Sequence, residues 1–289
     1  MRRGSVHTSY SPSAVRDAPG QWRNVAADWR QIGSPLRPCA ADIGHFSQVM
    51  ERWQAQHSSQ RPQGLILGVT PELYNLPWSP QRPVLAVDRT PAMIDAIWPG
   101  DSSNVMLADW RETGLERANI DIALCDGGLH LLDHPEGQRQ LAEHLAHIVV
   151  PGGLIAFRLF ALPAVPETTD DVLQDLMSGD IRDLNVLKLR LGMALQESPE
   201  WGVNLADVWQ TLANLADGEW SKLAGHLGWS TDHLRVIDAY RGSPASYHFT
   251  GINYVLRLFA DAGFEWQTTL QADYALSERC PVVAFRRGT

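Results

Sequence analysis

Cysteine is scarce in this chain. There are three, Cys39, Cys125 and Cys280, in 289 residues. An odd, widely spaced set excludes a disulfide framework and a paired-cysteine metal knuckle, and it fits a reducing compartment. Runs of Lys and Arg are missing too, and the formal net charge is −9. An acidic surface repels phosphate backbones, so nucleic acid is not expected as a partner. Long apolar runs are also lacking. The most apolar stretch, residues 148–165, is broken by Pro151-Gly152-Gly153, Arg158 and Pro163, so no membrane span is expected. The opening Met-Arg-Arg is not followed by the apolar segment of a secretory signal, and the expected location is cytoplasmic. A GxGxxG loop is absent as well, which argues against a dinucleotide dehydrogenase, because that loop lets a pyrophosphate meet bare backbone.

What is present is ordinary for a folded protein: 44% apolar and 20% charged residues, with length for one or two domains. Residues 1–20, rich in Ser, Pro, Arg and Gly, read as an irregular arm. Trp22, Trp29 and the Pro-Leu-Arg-Pro run at 35–38 follow. Asp42 is then placed to cap a helix to about Gln56, with Ile43, Phe46, Val49, Met50 and Trp53 at helical spacing.

From Gly64 the pattern changes. Short apolar runs at 65–67, 84–87, 104–107 and 122–125 end at Gly68, Asp88, Asp109 and Asp126, and a fifth at 154–157 follows Pro-Gly-Gly. Runs apolar on both faces predict strands of a parallel sheet covered by helices. Helical intervals fall at 91–98 and 135–149. Residues 167–235 read as helices with Leu and Trp stripes and no strand. A helix at 253–262 and strands at 265–270 and 282–285 close the pattern, with no internal repeat.

In such sheets ligands bind where loops leave the C-terminal ends of the strands. Gly68 there lets a nucleoside approach the backbone, and Asp88 is placed to accept hydrogen bonds from a ribose diol. Through Leu65-Ile66-Leu67-Gly68-Val69-Thr70-Pro71-Glu72-Leu73, Val87-Asp88-Arg89-Thr90-Pro91-Ala92-Met93-Ile94, Leu107-Ala108-Asp109-Trp110, Asp121-Ile122-Ala123-Leu124-Cys125-Asp126 and the Pro-Gly-Gly turn, the chain resembles the class I S-adenosylmethionine-dependent methyltransferases. The match is good over 64–160 and weak over 250–286.

The resemblance implies a Rossmann-like doubly wound α/β sheet of about seven strands, mostly parallel with an antiparallel last strand, plus a helical insertion. It implies S-adenosylmethionine as cofactor, with Asp88 on the ribose, Asp109 on the adenine amino group, Trp110 flanking the ring and the Asp126-Gly127-Gly128-Leu129-His130 loop facing the methyl group. Gly68, Thr70 and Arg89 complete the expected cofactor set. The family's first loop is usually GxGxG; here Thr70 and Glu72 take the later glycine positions. Thr70-Pro71 has the form of a helix N-cap and first turn, whose N-terminus would face the methionine carboxylate.

His130 is the candidate general base; the plainer alternative is a histidine that packs at the mouth of the sheet. His130 and His134 are four apart, but Pro135 disfavours helical geometry at His134, so no metal is expected. His144 and His147 read as surface, and Cys125 as inert packing. Trp201, Trp209, Trp220 and Trp229 either line a pocket or form the insertion's own core. The expected organisation is an N-terminal arm and cap helix (1–60), a Rossmann-like domain (61–162 and 240–289) and a helical lid (163–239). The expected activity is methyl transfer to a small-molecule acceptor. A non-catalytic binding protein on the same fold and a protein methyltransferase stay open, as does a homodimer.

Overall fold

The computed structural model describes residues 22–23, 26, 29–57 and 61–289. The arm expected over residues 1–20 lies outside them. Helix α1 (Ala40–Gln56) precedes five strands and their crossovers: β1 (Gly64–Leu67), α2 (Pro71–Tyr74), β2 (Leu85–Asp88), α3 (Pro91–Ile97), β3 (Val105–Leu107), β4 (Ile120–Asp126), α4 (Glu136–Ile148) and β5 (Val149–Arg158). A helical stretch follows, with α5 (Thr169–Ser178), α6 (Leu184–Leu195), β6 (Val203–Asn204), α7 (Leu205–Leu215), α8 (Trp220–Leu227) and α9 (Thr231–Arg235). The chain ends with β7 (Ser246–Tyr247), α10 (Ile252–Asp261), β8 (Phe264–Leu270) and β9 (Val282–Arg287).

Side chains on a strand alternate between faces, and here both faces are apolar. Leu65, Leu67, Val87, Ala123, Cys125, Ile155, Phe157 and Phe285 share one core with Leu141 and Leu145 of α4 and with Val255 and Phe259 of α10. The alternate residues Ile66, Ala86, Ile122, Leu124, Leu154, Ala156 and Ala284 pack on the other side against Phe46, Val49, Met50 and Trp53 of α1. Each such large side chain contributes about 1.5–3 kcal/mol by leaving water.

The main sheet has the order β3-β2-β1-β4-β5-β9-β8. Strands β1 to β5 pair in parallel, and β9 runs antiparallel between β5 and β8. The fold is therefore the seven-stranded, mostly parallel Rossmann-like α/β sheet with an antiparallel last strand. The order reverses at β1, whose neighbours are β2 and β4, and a crevice opens at such a switch point.

Three local expectations are corrected. Asp42 is not the cap of α1. Cys39 occupies that position, and Asp42 stands three residues on, where its carboxylate accepts the Cys39 N–H at 2.9 Å. Thr70 holds the N-cap position with Pro71 opening the helix, as expected, but its side chain makes no cap bond, and α2 is a single turn of four residues, too short to build a useful macrodipole. The helical segment also holds a strand, β6, which pairs over two residues with β7. Of its tryptophans, Trp209, Trp220 and Trp229 pack on the segment's own core, while Trp201 is 81% exposed.

Arg158, at the end of β5, is fully buried. Its guanidinium forks onto both carboxylate oxygens of Asp126 on β4. It also donates to the Pro35 carbonyl at 2.7 Å and lies 3.7 Å from Asp42 of α1. The Tyr274 hydroxyl donates to the other Asp42 oxygen at 3.1 Å. One cation thus joins two strands, the cap helix and the segment before it. Asp126→Ala would strand that cation in the core, at an expected cost of about 3–5 kcal/mol in urea unfolding. Pairing Asp126→Leu with Arg158→Met should recover most of the loss.

Candidate functional site

A cleft opens at the C-terminal ends of the parallel strands, with about 1180 Å³ of empty space, its open mouth included. Gly68, Thr70, Asp88, Arg89, Asp109, Trp110, Asp126 and His130 all line it. The structure thus brings the candidate cofactor and catalytic residues together in one cleft.

The wall is built strand by strand. Gly68, just after β1, has a φ of +99°, which only glycine adopts without strain. Its N–H donates to the Val87 carbonyl at 2.8 Å, and the Trp110 indole N–H donates to the same oxygen at 2.7 Å. This fixes the Trp110 ring as a flat wall beside Gly68. A Cβ at Gly128 would lie 2.4 Å from the Cys125 sulfur and 2.9 Å from the Trp110 ring, so that position also has to be bare.

Asp88 closes β2, where its carboxylate accepts the Thr90 N–H at 2.8 Å. Burial pushes its carboxyl up to about 6, more than the hydrogen bonds from Thr90 and the Arg89 backbone and the Arg89 charge pull it down. Asp109 stands differently. Burial pushes it up, but the backbone and guanidinium of Arg111 outweigh that and hold its carboxyl below the usual range. The Arg111 fork meets both oxygens at 2.9 and 2.7 Å. Burial also pushes the Asp126 carboxyl up, against the pull of Arg158; with that guanidinium bidentate on it we read the pair as ionised.

His130 sits in an aromatic box. Its ring stacks on Phe249 with centroids 5.2 Å apart and meets Tyr247 edge-on at 4.7 Å and Phe160 at 4.9 Å. Burial, with the Arg158 and His248 charges, pushes its imidazole down to about 3. Among the described residues its buried Nδ1 has no hydrogen-bond partner. His144 is half-buried, with its Nε2 2.8 Å from the Thr113 hydroxyl, and His147 is exposed. Burial pushes the Cys125 thiol up strongly.

Trp22 and Trp29, already noted in the sequence before α1, also line the cleft, with Ile32 and Leu36 beside them; Lys188 of α6 and Tyr240 and Tyr247 from beyond α9 were missed. The tryptophans of the helical segment do not reach it. Lys188 carried a usable signal, a single lysine in the apolar run Leu187-Lys188-Leu189. Arg158 carried another, a cation ending a buried strand.

No protein-family model and no curated protein matches the chain. Solved structures similar to it include a Rhodobacter sphaeroides protein assigned by name to the Zn-dependent alcohol dehydrogenases. It is 12% identical, with a TM-score of 0.56, over 92% of this chain and 97% of that one. Another is the N-methyltransferase NodS of Bradyrhizobium japonicum WM9 in complex with S-adenosyl-L-homocysteine. It is 11% identical, over 92% and 100% of the two chains, with a TM-score of 0.48. An S-adenosylmethionine-dependent methyltransferase from Mesorhizobium loti is 15% identical, over 83% and 100%, with a TM-score of 0.43. Likeness at such identities concerns the fold alone. Among the described residues no group of three or more His, Cys, Asp and Glu side chains is placed to hold a metal ion.

The His130 imidazole fixes the sign of one pH dependence. Unfolded, it takes a proton near 6.5; folded, only near 3. The stability it supports is complete above about pH 6.5 and drains away as pH falls toward 3, at about 1.4 kcal/mol per pH unit. His130→Phe should keep the ring stack and flatten stability against pH by one proton over that window, as measured by urea unfolding from about pH 7 to 4.5.

Proposed function

We propose that the chain is an S-adenosylmethionine-dependent methyltransferase acting on a small-molecule acceptor. The observation that carries this reading is Asp88. It is a half-buried carboxylate lining the cleft at the end of β2, together with the bare backbone of Gly68 and the flat wall of Trp110. A ribose diol brings two hydroxyl donors to such a group, and a purine ring suits a fixed indole face. The pocket therefore fits the cofactor on its own chemistry.

In this reading Asp88 accepts the ribose hydroxyls. Asp109, stiffened by Arg111, accepts the adenine amino group on a remaining lone pair. Thr70 and Arg89 flank the cofactor, and Asp126 holds Gly127 in place through Arg158. When bound, the cofactor supplies an electrophilic methyl group. The protein's part is to hold two reactants in line and exclude water, worth about 7–11 kcal/mol of the barrier when the fit is good. Burial makes the His130 imidazole a poor base, so we assign its ring to shaping the acceptor side of the cleft. We further propose that residues 163–239 are a lid over the acceptor side, which they reach through Lys188. That lid belongs to the proposed division into an arm and cap helix (1–60) and a Rossmann-like domain (61–162 and 240–289).

Calorimetric titration with S-adenosylmethionine and S-adenosylhomocysteine tests the reading. Both should bind, and Asp88→Ala should weaken them by about tenfold to a hundredfold with the fold intact. Affinity for the parent protein should fall as pH drops through about 6, where Asp88 takes up its proton and loses acceptor capacity. Unchanged affinity in Asp88→Ala removes the ribose role. Tight binding with no transfer to any acceptor favours a non-catalytic cofactor-binding protein, the alternative to which the weak basicity of His130 lends support.

A further inference from the structure

Beyond β4 the wall of the cleft changes from carboxylates to rings. His130, Phe160, Tyr240 and Tyr247 line it there, with Leu36 from before α1. The rings brace one another. Phe160 and Tyr247 lie 4.9 and 4.7 Å from His130, and Tyr247 meets Tyr240 edge-on at 6.4 Å. Leu36 packs on the same cluster. Rings held in this way have little freedom left to lose when a ligand arrives. The charges that reach this part of the cleft are answered inside the protein. Arg158 forks onto Asp126. The Lys188 ammonium lies 5.1 Å from the centre of the Tyr240 ring and has a further partner of its own.

We propose that this half of the cleft takes a small, flat, uncharged aromatic acceptor, seated among Phe160, Tyr247 and Leu36. The inference rests on the methyltransferase reading above and names the class of acceptor. Rings set edge-on and tilted to one another favour a planar aromatic body, which makes contacts that a saturated ring of the same size does not. A charged acceptor would give up its hydration here and meet groups that are already paired.

Such a molecule can take a methyl group without a base when the attacking atom is a ring or amino nitrogen. The nitrogen lone pair forms the new bond to the methyl carbon. The carbon–sulfur bond breaks with its electron pair left on sulfur, and the positive charge passes from sulfur to nitrogen. The net charge in the cleft is unchanged by that step. An amino nitrogen then sheds a proton to water on release. The faces of the neighbouring rings favour the positive charge as it builds on the acceptor.

The test is calorimetric titration of the full chain near neutral pH, with and without saturating S-adenosylhomocysteine. The probes are quinoline and aniline, both uncharged there. Cyclohexanol is the saturated comparison, and benzoate and benzylamine are the charged ones. At least one of the two aromatics should bind about tenfold tighter than each of the other three probes. Tyr247→Leu should cut that preference by about threefold or more while leaving S-adenosylhomocysteine affinity unchanged, and Tyr247→Phe should keep it. Cyclohexanol, benzoate or benzylamine binding as tightly as both aromatics would overturn the proposal, as would Tyr247→Leu with its preference intact. If Tyr247→Leu does not fold by thermal melting, the ranking of probes on the parent protein decides. Ring-selective binding without any S-adenosylhomocysteine binding would sustain the aromatic pocket and remove the methyltransferase reading instead. S-adenosylhomocysteine binding with no preference among the probes would do the reverse.

Discussion

The guanidinium of Arg158 has no contact with water, and that one constraint organises much of the molecule. A buried cation demands a partner of opposite charge and an acceptor for each remaining N–H. Asp126 answers the first demand from the neighbouring strand. Pro35, Asp42 and Tyr274 answer the second from three separate parts of the chain. The segment before α1 is thereby drawn against the sheet edge, where Trp29 and Leu36 can form one wall of the cleft. Arg37 reinforces it, lying over the Trp29 ring and meeting Glu72 of α2 at 2.5 Å. The carboxylate at 72 is thus a tether.

The cleft's electrostatics follow from unequal solvation. Asp109 and Asp126 have their charges matched by arginines, whereas burial raises the Asp88 carboxyl and lowers the His130 imidazole. Asp88 and His130 follow strands on opposite sides of β1 and line the same cleft. Groups perturbed in this way are characteristic of binding sites.

The parallel half of the sheet was legible in the sequence because four of its apolar runs lead into Gly68, Asp88, Asp109 and Asp126. Leu65-Ile66-Leu67-Gly68 and Val84-Leu85-Ala86-Val87-Asp88 state both the strand and its functional edge. The half of the cleft beyond β4 was not legible, because its residues come from elements distant in sequence. Nothing local connects Lys188 to Tyr247 or Trp29 to Phe160; only the packing of the helical segment beside β5 does. Asp42 shows a subtler limit. An acidic residue at a helix start suggests a cap, yet the residue three places earlier holds that position and frees Asp42 to face Arg158. Short-range propensity cannot weigh a partner more than a hundred residues away.

The position of β9 also has a temporal meaning. Arg158 is synthesised long before Val282, the residue it must pair with, and β5 presents an unpaired edge meanwhile. At ordinary translation rates that interval lasts roughly 6–25 seconds, far longer than hydrophobic collapse needs. The nascent chain therefore carries a sticky, half-built sheet while the helical segment emerges and folds around Leu176, Leu187 and Leu212. The sheet is complete only once β9 has left the ribosome, so a molecule arrested before it would be prone to associate through the open β5 edge.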